Sequence, residues 1–158
     1  MSAARLEKSE MIEAEIGELE KLSGIMLPEP VRLFLACNPT GNQLVRGSAC
    51  WRMFSLRELV QIVELRAVQG CRCCLAQMMG SLYSEKRGRP EIEDTSGGKH
   101  PVDHLARTMT FGVGAGDLLY LNADDEFSVW VLYSDSGFIE KIAPSLWEWI
   151  SCCEMKRN

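Results

Sequence analysis

The sequence feature that most constrains the fold is FGVGAGDLLYLNADDEF, which runs from Phe111 to Phe127 and has glycine at three alternate positions. Glycines at the first, third and fifth positions do not match the dinucleotide-binding fingerprint, which needs the first, third and sixth. A P-loop places Lys and then Ser or Thr after its last glycine, whereas here Asp117 follows, and its carboxylate would repel a phosphate. The apolar run Leu118–Leu121 that comes next is typical of a buried strand. The stretch therefore predicts a sheet and not a nucleotide site.

The sequence after these glycines alternates with a period of two. From Phe127 to Tyr133, branched and aromatic side chains occupy alternate positions, a pattern that strands prefer. Five residues join this segment to the apolar run Leu118–Leu121, which predicts a β-hairpin with a short connection. Glycines ahead of such a hairpin let a strand bend and lie close to its neighbour. We therefore expect β-structure from Arg107 onward.

Helical patterns dominate the N-terminal part of the chain. Residues 7–22 carry apolar side chains at helical spacing, and Gly24 is placed to end this helix. A second helix is expected to begin near Pro28, where a missing N–H costs nothing. It should end near Asn38, because the proline that follows disfavours helical geometry in the residue before it.

The middle of the chain changes character after a third helix. The S-x-x-E sequence from Ser55 to Glu58 predicts a capping box, and the helix that it opens should run to about Val68. The apolar, Met- and Cys-rich stretch from Cys71 to Tyr83 predicts a further short helix. Ser84 to Lys99 is charged and rich in glycine and proline, which predicts a long, mobile loop.

A last helix is predicted at the C-terminal end. It follows a short strand near residues 139–142 and begins at Ser145. Its apolar stripe, at helical spacing, consists of Leu146, Trp149, Ile150 and Cys153. Trp147 lies off this stripe, which predicts either an interface anchor or a partly buried side chain. Lys156 and Arg157 would close the helix with the charge that its C-terminus prefers.

The order of these elements predicts the fold class. Helices come first, strands follow, and one helix closes the chain, which indicates an α+β fold. We expect a mostly antiparallel sheet with N-terminal helices and a closing C-terminal helix packed on it. The 158 residues suggest a single domain over 1–158, with a variable, mobile segment at about 84–100.

Composition bounds the compartment and the class of protein. Hydrophobic residues make up 46% of the chain, enough for one core, yet no apolar run is as long as a membrane span. The N-terminus is charged and lacks the apolar core of a signal peptide. Seven cysteines, an odd number, then favour reduced thiols over a disulfide framework. These features predict a soluble cytoplasmic protein.

The net charge of −5 is unevenly distributed along the chain. Residues 31–90 carry 9 basic and 3 acidic side chains, a net charge of +6, whereas residues 91–158 carry 5 basic and 12 acidic ones, a net charge of −7. An acidic total argues against a nucleic-acid-binding protein. It is compatible with a basic protein partner, whose approach an acidic face would steer.

A group of acidic residues in the C-terminal third forms the predicted partner-binding site. Its members are Asp117, Asp124, Asp125, Glu126 and Asp135. A calcium loop needs acidic residues at alternating positions followed by glycine, but three of these are consecutive and do not converge on a cation. The cluster is therefore either a solvated hairpin tip or a charged patch for a basic partner.

A metal or Cys/His site is the alternative that the sequence leaves open. Cys71, Cys73, His100 and His104 could together compose a zinc site, or a cysteine could use one histidine as a base. Against this, C-x-C-C is not the usual C-x-x-C spacing, the glutamate of H-E-x-x-H is absent, and a helix starting at His100 is doubtful beside Pro101. No G-x-S-x-G nucleophile motif is present either. We therefore assign no catalytic residue, metal ligand or cofactor.

The order of several degenerate motifs resembles the SUKH superfamily, which includes yeast cell-wall-assembly regulators and many bacterial immunity proteins. The N-terminal motifs are I-x-x-x-E-x-L-S-G-x-x-L-P from Ile16, V-x-x-F-L-x-x-N from Val31 and WRMFSLREL from Trp51. The C-terminal motifs are the glycine strand from Phe111, the strand from Val129 to Tyr133 and I-A-x-S-L-x-x-W-I from Ile142. The resemblance covers most of the chain except roughly 66–107, and it departs at Asn38-Pro39-Thr40-Gly41, where the family often has Asn-Gly-Gly.

The resemblance implies an α+β fold, no catalytic apparatus and binding to another protein. In bacteria, such a domain typically neutralises a polymorphic toxin, often a nuclease, by direct contact. A regulatory scaffold without a toxin is equally compatible with the sequence. The implied partner is thus a protein, a basic toxin domain in the first case, and not a nucleic acid or a membrane.

Overall fold

The structure is a computed structural model that describes residues 3–68 and 91–156. The helices of these residues are α1 (Ala3–Ser23), α2 (Glu29–Cys37), α3 (Leu56–Val68) and α4 (Leu146–Ser151), and a 3₁₀ helix spans Val102–Leu105. The strands are β1 (Gln43–Arg46), β2 (Ala49–Met53), β3 (Glu91–Glu93), β4 (Lys99–Pro101), β5 (Thr108–Gly114), β6 (Asp117–Asn122), β7 (Ser128–Leu132), β8 (Ile139–Ala143) and β9 (Glu154–Lys156). The predicted α+β class, with N-terminal helices and a C-terminal helix, is confirmed.

The end of α1 and both ends of α2 lie where glycine and proline predict, whereas α1 begins at Ala3, four residues before the predicted start. Gly24 adopts a φ of +69° after α1, and its N–H donates to the carbonyl oxygen of Glu20 at 2.9 Å. Pro28 is the N-cap of α2, and its carbonyl oxygen accepts from the N–H of Val31 at 2.9 Å. Asn38 caps the other end of α2. These boundaries are confirmed.

Serine caps determine where α3 and α4 start, at the predicted capping box of α3 and at the predicted first residue of α4. The hydroxyl of Ser55 accepts from the N–H of Glu58 at 3.2 Å, and the Glu58 carboxylate accepts from the N–H of Ser55 at 2.7 Å. That backbone hydrogen bond is the main reason why the pKa of Glu58 lies below its ordinary value. Ser145 likewise accepts from the N–H of Glu148 at 3.2 Å.

The main sheet has seven strands in the order β8-β7-β6-β5-β2-β1-β9, and every neighbouring pair is antiparallel. The sheet curls strongly. As a result, Arg46 of β1 donates a hydrogen bond at 3.4 Å to the carbonyl oxygen of Ile142 in β8. Four strands separate β1 from β8 in the sheet order. The curl therefore brings β8, one edge strand, close to β1, which lies next to the other edge strand.

The glycine-rich stretch is β-structure, as the sequence predicted, and it also contains the turn of a β5–β6 hairpin that the sequence did not predict. Ala115 and Gly116 make the turn with φ values of +51° and +94°, and the register shifts between Thr110 and Gly112, which marks a bulge. A Cβ atom on Gly114 would lie 2.6 Å from the carbonyl oxygen of Cys50. The absence of a side chain here lets β5 approach β2 closely.

The predicted loop from Ser84 to Lys99 is wrong from Glu91 onward. Two three-residue strands, β3 and β4, pair there as a separate antiparallel hairpin. Their turn is held by Asp94, whose carboxylate accepts from the N–H groups of Ser96 and Gly98. The predicted helix Cys71–Tyr83 and the first part of the loop lie outside the described residues.

The C-terminal end also differs from the prediction. The closing helix ends at Ser151, and residues Glu154–Lys156 form β9, an edge strand that pairs with Gln43–Val45 of β1. The prediction that Lys156 ends a helix is therefore wrong. Strand pairing with a distant partner overrides the short helical pattern.

Two apolar clusters lie on opposite faces of the strands β6 and β7. The larger one joins the sheet to all four helices and contains the fully buried Trp149. The smaller one lies under β3, β4 and the 3₁₀ helix and includes Trp130, Tyr120 and Ile92. Trp130 and Trp149 are both buried, and every residue of β7 is buried because both of its faces are covered.

Candidate functional site

Three of the five predicted partner-binding residues lie together at the tip of the β6–β7 hairpin. We call residues 123–127, between Asn122 and Ser128, the acidic tip. Asp124 and Glu126 are exposed, and Asp125 is half-buried. The hairpin itself pairs in register from Leu118 opposite Leu132 to Asn122 opposite Ser128, as the sequence predicted.

The backbone of the acidic tip is fixed by hydrogen bonds to Asn122. The Asn122 side chain, which is buried, accepts from the N–H of Asp124 at 2.9 Å. The backbone carbonyl oxygen of Asn122 accepts from the N–H of Asp125 at 3.2 Å and from that of Phe127 at 2.9 Å. Glu126 and Phe127 adopt φ values of +52° and +56°, which are rare for residues with side chains. The tip is therefore a defined loop and not a freely varying one.

Asp125 connects the acidic tip to the layer beneath it. Its carboxylate accepts from the hydroxyl of Ser128 and, at 2.7 Å, from Nζ of Lys141 in β8. The Ser128 hydroxyl in turn accepts from Nε1 of Trp130 at 2.8 Å. Burial opposes ionisation of Asp125, but the hydrogen bonds from Lys141 and Ser128 outweigh it, so its pKa lies below the ordinary value. Asp125 is thus ionised and oriented inward.

The other two acidic residues of the tip differ in their neighbours. Asp124 Oδ1 lies 3.2 Å from Nη1 of Arg107, in an ion pair that is half exposed to solvent. Within residues 3–68 and 91–156, Glu126 has no ion-pair partner. Glu126 is therefore the carboxylate at the tip that is freest to contact a partner.

The remaining two predicted residues lie at the opposite end of the same strands. Asp117 begins β6, and its carboxylate accepts from the N–H of Ser134 at 2.9 Å. Asp135 is exposed in the β7–β8 connection, next to Ser134. Because β6 has six residues, its two ends lie about 17 Å apart. The five acidic residues therefore form two groups, which lie at opposite ends of the extended strand β6.

The two histidines lie side by side beneath the acidic tip. His100 is in β4 and His104 in the 3₁₀ helix, and their ring centroids are 4.9 Å apart. Nε2 of His100 lies 2.8 Å from Oδ2 of Asp94, so this nitrogen carries a hydrogen. Trp130 packs edge-on against His104, with centroids 4.8 Å apart. Helical i, i+4 spacing does not produce this contact, because a strand ends between the two residues.

His104 touches the acidic tip through Asn122. The amide nitrogen of Asn122 is 3.4 Å from both ring nitrogens of His104, so it is aligned with neither lone pair. Burial lowers the pKa of His104, and the proximity of His100 lowers it further. Asp125 and Asp124 act in the opposite direction without cancelling these effects. His104 is therefore neutral at neutral pH.

Among residues 3–68 and 91–156, the histidine pair has no third side chain that would complete a metal centre. The described part of the chain contains no group of three His, Cys, Asp or Glu side chains that could hold a metal ion. Cys71 and Cys73, the other members of the alternative zinc site, lie outside the described residues. The zinc hypothesis thus has two neighbouring ligands of the right type and no third one in this part of the chain.

Sequence reasoning missed the residues that hold the acidic tip in place. Lys141 is 16 positions from Asp125 along the chain, and Ser128 carries no motif. Arg107 precedes β5 and meets Asp124 only because β5 and β6 pair. The predicted pairing of the two hairpin strands could have identified Ser128, which directly follows the tip. It could not have identified the basic residues Lys141 and Arg107.

No helix in residues 3–68 and 91–156 has the length and apolarity that crossing a bilayer requires.

Comparison with known proteins assigns the family. No curated protein and no solved structure is similar enough to the chain to count as a match. The model of the SMI1 / KNR4 family (SUKH-1), however, matches residues 12–152, which is most of the sequence. The chain therefore belongs to the SMI1 / KNR4 family, SUKH-1.

Proposed function

We propose that this chain is a non-enzymatic protein-binding module: an immunity protein that neutralises a bacterial polymorphic toxin by direct binding. The chain acts as a single SUKH-like domain, and its partner is a basic toxin domain such as a nuclease. The acidic tip is the partner-binding surface. Asp124 and Glu126 contact the partner, and Asp125 holds the tip in shape.

The fixed conformation of the acidic tip is the observation that supports this proposal most directly. Preorganised loops bind with a smaller loss of conformational entropy than flexible ones. The buried Asn122 and the Asp125 network hold Glu126 at the outer end of the hairpin in a rare backbone conformation. Exposed carboxylates in such a position steer a basic partner and fix its register. Membership of the SUKH-1 family, whose superfamily includes immunity proteins, supports the same conclusion.

Charge reversal at the tip tests this function. The partner to be tested is a toxin domain, sought first in the neighbouring gene, and its association rate is measured by stopped flow at several salt concentrations. We expect Glu126→Lys to slow association and to weaken its salt dependence, because steering between opposite charges is lost. Asp125 is left unchanged, since its substitution would also disturb Ser128 and Lys141.

Asp135→Lys is the matched control for this experiment. It changes the net charge by the same amount in an exposed loop, but at the opposite end of β6 and β7. A larger effect of Glu126→Lys than of Asp135→Lys supports the acidic tip. Equal rates for both variants and the unmodified protein would remove the tip from the interface.

The zinc or Cys/His alternative is tested separately by metal analysis. Only the contact between His100 and His104 favours it. Stoichiometric zinc in the purified protein, lost in a His104→Gln variant, would replace the binding proposal with a metal-site proposal. Protein that neutralises its toxin equally well after treatment with a chelator would exclude a functional metal.

A further inference from the structure

The outer face of α2 is apolar, although it faces solvent. Pro30, Leu33 and Cys37 are all exposed, and Leu33 keeps 49% of its surface accessible. At 3.6 residues per turn, these three positions fall within an arc of about 60°. Met26, in the connection before the helix, is 74% exposed. We call these four residues the α2 face.

A different side of α2, about 120° around the helix from the α2 face, already supplies the core. Val31, Phe34 and Leu35 are buried there. The one basic residue of the helix, Arg32, is held by α1, because its guanidinium lies 2.7 Å from both Glu13 and Glu20. A surface helix normally places polar residues opposite its buried stripe, whereas a helix that is apolar on both sides is covered on both sides. The pattern of α2 therefore indicates a second apolar contact.

A further exposed apolar side chain lies on the neighbouring helix. α4 lies against α2, and its Trp147 is 45% exposed while Trp149 beside it is fully buried. Exposed tryptophan is rare on free surfaces and common at the centre of interfaces. Trp147 is therefore exposed, the condition under which the sequence would suggest an interface anchor.

The charges around the α2 face are acidic. Glu29 is exposed at the start of α2, Glu148 is exposed beside Trp147, and Glu13 on α1 is 55% exposed. A second copy of the chain would bring these carboxylates against their own equivalents, which is unfavourable. A partner with lysine or arginine beside an apolar stripe complements both features. The acidic residues near the α2 face thus favour binding of a basic partner over binding of a second copy of the chain.

We propose that the α2 face is a second docking surface, which binds an amphipathic helix whose apolar stripe is flanked by basic residues. Leu33 and Trp147 pack against the stripe, and Glu29 and Glu148 pair with the flanking cations. Such helix-on-helix recognition is a common mode of peptide binding. This surface uses none of the residues of the acidic tip, so it goes beyond the proposed function and does not depend on it.

A designed peptide tests the surface without any knowledge of the natural partner. The probe is a synthetic peptide of about 18 residues, long enough to form a helix on binding, with leucine at helical spacing and lysine elsewhere. Binding is measured by calorimetry, and the contact is mapped by amide chemical shifts of the ¹⁵N-labelled full chain. We expect saturable binding with the largest shifts in α2 and α4.

Two variants with the same charge change locate the contact. Leu33→Glu should weaken binding about tenfold, because it removes apolar contact area, although its added negative charge alone would attract the peptide. Met11→Glu, at a position that is 58% exposed on α1, should leave binding unchanged or slightly tighter. Leu33→Gln and a thermal melt of each variant exclude loss of folding as the cause.

Four results would overturn the proposal. They are equal affinity of Leu33→Glu and Met11→Glu for the peptide, shifts confined to the acidic tip, equal binding of a peptide with glutamate in place of lysine, and binding to neutral lipid vesicles but not to the peptide. A dimer of the free protein that Leu33→Glu dissociates would instead assign the face to self-association. None of these results bears on the toxin experiment, whose readout is the Glu126→Lys variant.

Discussion

Nζ of Lys141 lies 2.7 Å from Oδ2 of Asp125, and this contact ties the edge strand β8 to the acidic tip. The two side chains are about two-fifths exposed, at 42% and 39%. An ion pair with that exposure contributes little to global stability, about 0.5 kcal/mol. Its effect is local, because it helps to hold the carboxylate that also accepts from Ser128.

The first prediction is that Lys141→Met changes the tip more than it changes the fold. The pKa of Asp125 should rise, because the opposing effect of burial then meets fewer hydrogen bonds. We expect the free energy of unfolding at neutral pH to fall by less than about 1 kcal/mol. NMR titration of the Asp125 carboxyl and urea unfolding measure the two quantities. An unchanged pKa would show that Ser128 alone holds the carboxylate.

The second prediction concerns Glu20, a buried carboxylate at the junction of α1 and α2. It accepts from the N–H of Leu27 at 2.8 Å and from Arg32 at 2.7 Å. Glu20→Ala leaves the buried N–H of Leu27 without its acceptor and removes one of the two carboxylates that hold the Arg32 guanidinium, which should cost about 3 kcal/mol of unfolding free energy. Glu13→Ala removes an exposed partner of the same arginine and should cost less than about 1 kcal/mol. Equal losses in urea unfolding would contradict this difference in burial.

The third prediction compares two glycines that become alanine. At Gly114, a new Cβ would meet the Cys50 carbonyl oxygen and the Trp51 ring, each at 2.6 Å. Because both neighbours belong to β2, we expect Gly114→Ala to cost about 2 kcal/mol or more. Gly17 lies inside α1 with nothing within 4 Å of its Cβ position, so Gly17→Ala should stabilise the protein by about 0.5–1 kcal/mol. Thermal unfolding of both variants tests the opposite signs.

The fourth prediction concerns pH and His104. Its folded pKa lies below the ordinary value of 6.5, so the folded state binds fewer protons than the unfolded state and is destabilised on acidification. The loss begins near the ordinary pKa and continues as the pH falls to the folded pKa. Urea unfolding at about pH 7.5 and about pH 5.5 should show a smaller pH dependence in His104→Gln than in the unmodified protein. Identical pH dependence would mean that His104 does not titrate as its burial indicates.

Local chemistry made several elements predictable from the sequence. Ser55 with Glu58, and Ser145, set helix starts through hydrogen bonds within three residues, so short windows of sequence contain the whole cause. The glycine positions from Gly112 onward excluded a phosphate loop and indicated close strand packing, which β5 and β2 confirm. The closing helix was located correctly but made too long.

The missed strands depend on contacts between distant parts of the chain. β9 has only three residues, and it is a strand because β1, more than 100 positions earlier, offers it hydrogen-bond partners. β3 and β4 are equally short, and they are held by the Asp94 turn and by packing on Trp130. A segment of three residues is too short to show the alternation of apolar and polar side chains that predicts a strand.

The sequence by itself determined the α+β class, the helix caps, the β-structure of the glycine-rich stretch and the presence of an acidic group in the C-terminal third. The tertiary structure decided which acidic residues lie together, because antiparallel pairing sends Asp124 and Asp117 to opposite ends of β6. It also decided that Leu33 faces solvent and that His100 contacts His104, since both depend on how separate elements pack. Hydrogen bonds and propensities within a few residues act before the chain folds, whereas burial and charge pairing exist only after it has folded.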